Sequence, residues 1–364
     1  MKKFLPFVFA LMVSLSVNSQ TIYEVTGKVI DAGTKLPMLS ASVFAENTTI
    51  GTATDASGNF KLQLPNGGYN LVVTFTGYHT ETKRITTGDA ENKNIVIEIK
   101  QQQKEMQDVV VKATYEVADG WEKYGNFFLE NFIGKTENSR QCSIKNPTAL
   151  KFYFYKRKNR LKVLATAPLE IVNDALGYTI KYTLDSFVHE YATELSVYTG
   201  YPLFEEMAPA NDTQKEKWAV NRLKAYNGSL LHFMRSLHHK QLKEEGFEIQ
   251  FLVKDNDKET AIPVKDFYGA LNYAKDDSTN TVEVWPNQPN VVILYKNEKP
   301  EEGYQSANMD EPNKFQLTVF SFLPKQSIVI EQNGYYFEQT DFTINQYLGW
   351  EKMADMLPYD FILK

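Results

Sequence analysis

The sequence predicts a mainly β protein of the α+β class: an N-terminal antiparallel β-sandwich, then an α+β domain with a largely antiparallel sheet and one long helical region. Short β-branched runs separated by Gly and Asn fill residues 21–112 without a helical period. Helical and strand patterns alternate beyond residue 113. Of the 364 residues 43% are hydrophobic and Cys142 is the only cysteine, so packed cores must stabilise two or three domains.

The first residues are typical of a secretory signal peptide. Two lysines precede an apolar run from Phe4 to about Val17, which polar residues then end. The run is too short to span a bilayer, and no later run reaches membrane length. Residue 20 is Gln, so the thiol for bacterial lipid attachment is missing there. We expect a signal peptide over residues 1–19, with a retained anchor as the alternative, and a mature chain without a transmembrane helix.

The sandwich is predicted over residues 20–112. Its strand segments are IYEVTGKVID, LSASVFAEN, GTATD, NFKLQL, YNLVVTF, HTETKRI and NIVIEIK. Between the third and fourth segments, Asp55, Ser57 and Asn59 have the spacing of the ligands at positions one, three and five of a calcium loop. Gly58 falls at the fourth loop position instead of the sixth, and the twelfth position lacks Glu. We therefore predict a tight turn and no metal site.

A polar stretch, QQQKEMQD, then forms a linker or an edge element before the apolar triplet Val109–Val111. We set the domain boundary near Ala113, so that an α+β domain covers residues 113–364.

The α+β domain begins with a helix in VADGWEKYGNFFLENFIG, which has apolar residues every three or four positions and ends at Gly134. ALKFYFYKRKNRLKVLATA predicts a hairpin that turns at Lys158 and Asn159. GYTIKYTLDSFVHEY and ELSVYTGYPLF predict two more strands. We interpret LEIVNDAL, before them, as one helical turn.

The region 211–246 has the clearest helical period, although Asn227 and Gly228 interrupt it, so a kink and two helices are equally allowed. Strands are predicted in FEIQFLVK, TVEVW, NVVILYK, FQLTVFSF and SIVIEQNGYYF, and a short helix in QYLGWEKMADML.

The stretch VTGKVIDAGTKLPMLSASVFAENTTIGTATDASGNFKLQLPNGGYNLVVTFTGYHT resembles the carboxypeptidase-like regulatory domain of bacterial cell-envelope proteins. The matching residues are Gly27, Val29, Asp31, Pro37, Ala41, Val43, Gly51, Thr54, Asp55, Gly58, Phe60, Tyr69, Gly77 and Tyr78. The resemblance implies a transthyretin-like β-sandwich, which often precedes the plug of SusC-like TonB-dependent receptors. This chain is too short to hold a plug and a barrel. NDALGYTIKYTLDSF, TGYPLFEEM, NRLKAYNGSLLHFMRSL and GWEKMADMLPYDF resemble a C-terminal region of exported proteins without an assigned function.

The histidines do not support a metallopeptidase. None of the five is followed by Glu at the third position, and HEYAT lacks the second His of H-E-x-x-H. His232 and His239 would lie two helical turns apart, too far for one metal. We interpret these two and His238 as surface residues, and expect no metal and no cofactor.

Other reactive residue types have structural interpretations. NGSLL lacks the G-x-S-x-G pattern, so Asn227 or Ser229 is expected to cap a helix start or to tolerate a bend. Cys142 is expected to be a buried inert thiol. Arg222 and Arg235 do not share one helix face, and we expect salt bridges instead of an anion clamp.

Carboxylates and exposed aromatic residues are the remaining candidates for a site. Acidic residues near predicted strands could serve a glycosidase: Asp185, Glu190, Glu194, Glu205 and Glu206. Most aromatic residues are expected to fill the core. Tyr201 and Trp285 each precede Pro, which favours loop or extended backbone, so we predict them on a partner or ligand surface.

Charge excludes one class of partner. Without Lys2 and Lys3, 37 basic residues stand against 45 acidic ones, which moves the formal charge from −6 to −8. An acidic chain without a basic cluster is a poor nucleic-acid binder.

From all these observations we predict a non-enzymatic exported protein, periplasmic or associated with the outer membrane. We expect it to bind an envelope protein or polymer by surface recognition or through a sandwich edge strand. The alternatives are a glycan or peptide hydrolase using acidic residues of the C-terminal domain, and an accessory subunit at the outer membrane.

Overall fold

The computed structural model describes residues 22–102, 115–255, 258–337 and 341–363. The predicted signal peptide, most of the linker, the triplet Val109–Val111 and the boundary near Ala113 lie outside these ranges. Below, the sandwich means residues 22–102 and the C-terminal region means residues 115–363. No helix of the described residues is both long and apolar enough to cross a membrane.

Within residues 22–102, seven strands form two sheets, as predicted. They are β1 (Ile22–Asp31), β2 (Ser42–Ala45), β3 (Gly51–Ala53), β4 (Asn59–Pro65), β5 (Tyr69–Thr74), β6 (Glu81–Ile85) and β7 (Ile95–Ile99). The sheet orders are β4-β1-β7 and β3-β2-β5-β6. All neighbours are antiparallel except β1 and β7, which run parallel. Buried residues alternate with exposed ones along β4, so one face of each sheet packs into a shared core.

The stretch that resembles a calcium loop is a turn. One carboxylate oxygen of Asp55 accepts the backbone N–H of Ser57 and of Asn59, each at 2.8 Å. Gly58 has φ 76°, a conformation that glycine adopts without strain. The prediction of a tight turn between β3 and β4 is confirmed.

The C-terminal region begins with helix α1 (Gly120–Phe132) against a six-stranded sheet. Its strands are β8 (Cys142–Ile144), β9 (Leu150–Tyr155), β10 (Arg160–Ala165), β11 (Leu169–Asn173), β12 (Tyr178–Glu190) and β13 (Leu195–Glu206). The order is β8-β11-β12-β10-β9, and β13 pairs with the free edge of β12. Phe128 and Phe132 of α1 are fully buried against this sheet, which explains the helical period seen in the sequence.

The predicted helical turn in LEIVNDAL is wrong, because its first five residues form β11. Leu169 and Ile171 are fully buried while Glu170 between them is exposed, the alternation of a strand with one covered face. β11 pairs with β12 and with β8. The chain turns only after Asn173, whose side-chain oxygen accepts the N–H of Leu176 at 3.1 Å.

The long helical region contains two helices, α2 (Asp212–Tyr226) and α3 (Leu230–His238). Gly228 between them has φ 75°, which ends α2. Ser229 then caps α3, since its hydroxyl accepts the backbone N–H of His232 at 3.2 Å. The predicted capping role of Ser229 is confirmed.

The remaining chain forms two further antiparallel sheets around a second core. Its elements are β14 (Phe247–Asp255), β15 (Lys258–Pro263), α4 (Phe267–Ala270), β16 (Ala274–Asp276), β17 (Thr281–Val284), β18 (Asn290–Tyr295), α5 (Glu302–Ala307), β19 (Gln316–Phe322), β20 (Ile328–Ile330), β21 (Phe342–Gln346) and α6 (Tyr347–Trp350). The sheet orders are β15-β14-β18-β19-β21 and β16-β17-β20. The described C-terminal region thus divides its antiparallel strands among three sheets.

The sandwich docks on the C-terminal region through a buried ion pair. Glu331 follows β20, and its side chain is 4% exposed. Its carboxylate accepts a hydrogen bond from the Arg84 guanidinium at 2.5 Å and from the backbone N–H of Gly68 at 3.1 Å. Asn333 donates to the carbonyl of Gly68 at 3.0 Å. A Cβ at residue 68 would displace the paired ends of the Arg84 and Glu331 side chains, so glycine lets the ion pair lie against the backbone here.

A second line of backbone contacts continues the same junction. The N–H of Asn47 donates to Pro202 O at 2.8 Å, and the N–H of Phe204 donates to Thr48 O at 2.9 Å. The N–H of Tyr359 donates to Asn47 O at 2.7 Å. The loop between β2 and β3 is therefore held by both β13 and the C-terminal segment.

We predict that Arg84→Met destabilises the folded chain by about 3 kcal/mol, because it leaves Glu331 buried without its cation. The control is Lys83→Met, since Lys83 forms an exposed pair with Glu91 at 3.6 Å and its loss should change stability by less than about 1 kcal/mol. Urea unfolding of both variants measures the difference. Equal losses would show that the Arg84–Glu331 pair does not stabilise the junction.

Candidate functional site

A cleft of about 680 Å³ lies where the sandwich meets the C-terminal region. The sandwich contributes the loop after β2 and one residue of β5, and the C-terminal region contributes β12, β13, α3 and the segments around residues 335 and 355. Its polar lining includes Glu46, Asn47, Asn70, Tyr182, Asp185, Tyr198, Tyr201, Tyr335, Tyr336, Glu351, Lys352, Asp355 and Tyr359. Concave sites of this size with a few converging polar groups are typical ligand sites.

The sandwich wall of the cleft is fixed by hydrogen bonds. Asn47, in the loop after β2, has φ 55°. The side chain of Asn70 in β5 donates to the Glu46 carboxylate at 2.7 Å and to the Tyr335 hydroxyl at 3.1 Å. The backbone N–H of Glu46 also donates to Asn70 O at 2.9 Å. Burial raises the pKa of Glu46, and the Asn70 bond and the charge of Arg84 lower it in part.

The opposite wall contains a β-bulge at Asp185. The pairing of β12 with β13 shifts between Leu184 and Ser186, so Asp185 is the extra residue. Gly200 faces this point, and a Cβ there would collide with the Tyr182 ring and the Thr183 carbonyl. A bulge turns a side chain away from the regular alternation, and here Asp185 lies in the cleft, close enough to Tyr201 for its charge to raise the pKa of that hydroxyl.

Six tyrosines supply most of the aromatic surface of the cleft: Tyr182, Tyr198, Tyr201, Tyr335, Tyr336 and Tyr359. The rings of Tyr182 and Tyr198 both pack edge-on against Phe132 of α1, at 5.0 and 5.1 Å between centroids. Tyr335 packs edge-on against Tyr359 at 5.8 Å. Burial, with a smaller contribution from the charge of Asp185, raises the pKa of Tyr201 to about 12, so its hydroxyl keeps its proton at neutral pH.

The end of the cleft formed by the segment after α6 contains two carboxyl groups, the buried one of Asp355 and the half-buried one of Glu351. Asp355 is 8% exposed, and its carboxyl accepts hydrogen bonds from Thr136 and Asn138, each at 3.0 Å. Burial raises the pKa of Asp355 to about 7 despite these bonds. Burial and the charge of Asp355 also raise the pKa of Glu351 well above its usual range.

The structure separates the two aromatic residues that we predicted on a binding surface. Tyr201 lies in β13, half-buried, and lines the cleft. Trp285 follows β17, is 42% exposed and does not line the cleft. The two do not form one surface, and their predicted roles stay predictions.

Of the five acidic residues considered for a glycosidase, only Asp185 lines the cleft. Glu190, Glu205 and Glu206 form ion pairs with Arg160, Lys181 and Arg222, the last two at 2.6 and 3.1 Å. Glu194 lies exposed with φ 53° in the turn between β12 and β13.

The interpretation of the histidine cluster as surface residues is wrong for two of the three. His232 and His238 are 3% exposed, because α3 is covered on most sides by strands and loops of the second core. His232 accepts the N–H of Gly228 on Nδ1 at 3.1 Å, and its Nε2 lies 3.2 Å from Glu245. His239 is exposed. The described residues contain no group of three or more His, Cys, Asp or Glu placed to hold a metal ion.

The arginines and the cysteine have structural contacts. Arg222 donates to the carbonyls of Leu176 and Gly177 and pairs with Glu206. Arg235 donates from all three guanidinium nitrogens to the carbonyls of Asn333, Tyr359 and Phe361, each at 3.0 Å, and so holds the C-terminal segment by hydrogen bonds to backbone instead of a salt bridge.

Cys142 is half-buried instead of fully buried, and desolvation still raises the pKa of its thiol to about 12, as expected for an inert residue.

Sequence reasoning missed the residues that build the cleft from the sandwich side. Glu46 and Asn70 lie 24 positions apart, and neither matches a known motif. The sequence did contain a signal for the bulge, since Gly200 lies within the strand pattern of β13. A glycine inside a strand indicates a bulge or a close approach of another part of the chain to the backbone.

The fold and the cleft define a class of protein: a two-sheet β-sandwich docked on an antiparallel α+β region, with a tyrosine-rich cleft at the junction. The sequence model of the CarboxypepD_reg-like domain matches residues 25–111. The chain therefore contains a CarboxypepD_reg-like domain, as the resemblance implied. No curated protein matches the chain.

Solved structures give remote likenesses. A DUF3823 family protein from Bacteroides ovatus is 14% identical, with a TM-score of 0.17, and the match covers 51% of this chain and 81% of that one. A putative membrane-associated protein of unknown function from Bacteroides fragilis is 10% identical, with a TM-score of 0.19, over 86% and 94% of the two chains. A 9R-lipoxygenase from Cyanothece is 8% identical, with a TM-score of 0.17, over 60% and 48%. At these TM-scores the likenesses do not establish a shared fold.

We predict that Asp355 makes the chain less stable as pH rises from about 4 to about 7. Its folded pKa lies above that of the unfolded chain, so its contribution is fully present below the unfolded pKa and is lost as pH rises through the folded value near 7. The unfolding free energy of the wild type relative to Asp355→Asn should fall by on the order of 3 kcal/mol across this window.

Urea unfolding at pH 4, 5.5 and 7.5 measures this loss. Asp277→Asn, at an exposed position, is the control and should follow the wild type at each pH. A constant difference between wild type and Asp355→Asn would contradict the raised pKa.

Proposed function

We propose that this chain is an exported, non-enzymatic protein of the bacterial envelope that recognises a protein partner or a polymer in the cleft between the sandwich and the C-terminal region. The observation that carries the proposal is the bulge at Asp185, which turns a charged side chain into a tyrosine-lined cleft opposite Gly200. The CarboxypepD_reg-like domain and the N-terminal signal-peptide pattern support the envelope setting.

The sandwich acts as a rigid support in this proposal. It contributes one loop and one strand residue to the cleft, and both are fixed by hydrogen bonds before any ligand arrives. A preformed site loses little conformational freedom on binding. Addition of an external strand is less favoured, because the edge strands β3, β4, β6 and β7 contain only three to seven residues.

A hydrolase is the second candidate, and one observation favours it. Glu46 and Asp185 face the same cleft, and burial, with a smaller contribution from the charge of Asp185, raises the pKa of Glu46. Two carboxyl groups in one cleft can act as acid and base when their environments separate their pKa values. Turnover of a glycan or peptide that is lost in Glu46→Gln would establish this candidate in place of the binding proposal. An accessory subunit at the outer membrane would use the same cleft for its partner.

We predict that a photo-crosslinking amino acid at position 201 captures a specific envelope partner in the native host. The same amino acid at position 285 is the matched control, because Trp285 is exposed but lies outside the cleft. Crosslinked products are separated by electrophoresis and identified by mass spectrometry. Captured products should appear at 201 and be absent at 285. Equal capture at both positions would contradict recognition in the cleft.

A further inference from the structure

We infer that the cleft takes a ligand that carries a guanidinium or ammonium group, as on an arginine or lysine side chain of a peptide segment. The cation would lie between Glu46 and Asp185, against the tyrosine rings. This inference rests on the proposed function and names the ligand class of that same site.

The charges that line the cleft favour a cation. Its described lining contains four carboxyl groups, on Glu46, Asp185, Glu351 and Asp355, and one ammonium group, on Lys352. Burial raises the pKa of Glu351 well above its usual range and that of Asp355 to about 7, so the inference rests on Glu46 and Asp185. The Arg84 guanidinium lies close enough to influence Glu46, but it pairs with Glu331 and does not line the cleft. Among the residues that the structure describes, no cation forms an ion pair with Glu46 or Asp185, and both face the cleft.

Six described groups around the cleft either influence the pKa of Glu46 or have a pKa that Glu46 influences. They are Arg84, Asp185, Tyr182, Tyr201, Tyr335 and Tyr359. Five of these six are acidic or phenolic, which leaves Arg84 as the one cation among them.

Two hydrogen-bond acceptors in the cleft, the Glu46 carboxylate and the Asn47 side-chain oxygen, can accept further hydrogen bonds. A carboxylate offers about four lone-pair sites, and Asn70 donates to one oxygen of Glu46. Asn47 also lines the cleft and is 5% exposed, and its side-chain oxygen has no hydrogen-bond partner among the described residues. A buried acceptor without a partner needs an explanation. A guanidinium, which has five N–H donors and no acceptor, matches this arrangement.

The aromatic rings complete the site for a cation. A guanidinium or ammonium within about 6 Å of a tyrosine ring centroid is attracted by the negative face of the ring. The protein already uses this contact beside the cleft, where the Arg84 guanidinium lies 4.4 Å from the ring centroid of Tyr335 and 4.3 Å from that of Phe337. Tyr335 lines the cleft as well.

The test uses the full mature chain and two peptide pairs that differ only in charge. Acetyl-Gly-Arg-Gly-amide is compared with its neutral citrulline counterpart, and acetyl-Gly-Lys-Gly-amide with its norleucine counterpart, by calorimetric titration at pH 7.5. We expect at least one cationic peptide to bind about tenfold more tightly than its neutral counterpart, since hydrogen bonds to charged groups are the stronger ones. The preferred pair distinguishes guanidinium from ammonium.

Two variants locate the binding. Glu46→Gln and Asp185→Asn should each weaken the cationic peptide about tenfold and leave the neutral one unchanged. Glu205→Gln, which removes an exposed carboxylate outside the cleft, should bind like the wild type. Asp185 is exposed, so its variant should fold even if Glu46→Gln does not, and circular dichroism checks both.

The inference would be overturned by equal binding of charged and neutral peptides, by unchanged binding in Asp185→Asn, or by no binding of any peptide at concentrations of about 10 mM. These results would leave the proposed function in place if position 201 still captured a partner. Equal capture at positions 201 and 285 would instead contradict the proposed function.

Discussion

The buried carboxylate of Glu331 is the interaction on which the arrangement of this protein depends. It accepts hydrogen bonds from Arg84 of β6 and from the backbone of Gly68, so one side chain of the C-terminal region holds two parts of the sandwich. Because a Cβ at residue 68 would occupy the same space, the backbone approaches closely and the sandwich has a defined orientation. That orientation brings the loop with Glu46 to the bulge with Asp185, and the cleft follows from it.

The two walls of the cleft are supported by different means. Asn70 connects Glu46 to Tyr335 and so joins the sandwich wall to the C-terminal region. The opposite wall rests on Phe132 of α1, against which two of the lining tyrosines pack. The first support belongs to the lining of the cleft, whereas Phe132 lies behind it. A site held in this way keeps its shape before binding, which favours recognition without a large ordering cost.

Much of the fold could be predicted from the sequence, because it follows from local patterns. The strand β1 and the turn at Asp55 depend on alternation and on Gly58, which a short window contains. The segment at Leu169 was misinterpreted because five residues are too few to separate a strand from a helical turn without knowing which neighbours cover them. The cleft could not be predicted, since Glu46 and Asp185 meet only through the docking of two parts of the chain.

Amide hydrogen exchange tests the central claim that the sandwich and the C-terminal region form one docked unit with a preformed cleft. The amides of Asn47, Gly68 and Phe204 donate across the junction, to Pro202, Glu331 and Thr48. If the junction opens only with global unfolding, these three amides should exchange as slowly as the amides in the core strand β5. Fast exchange at all three, with β5 still protected, would show that the two parts separate readily and that the cleft is not a fixed feature.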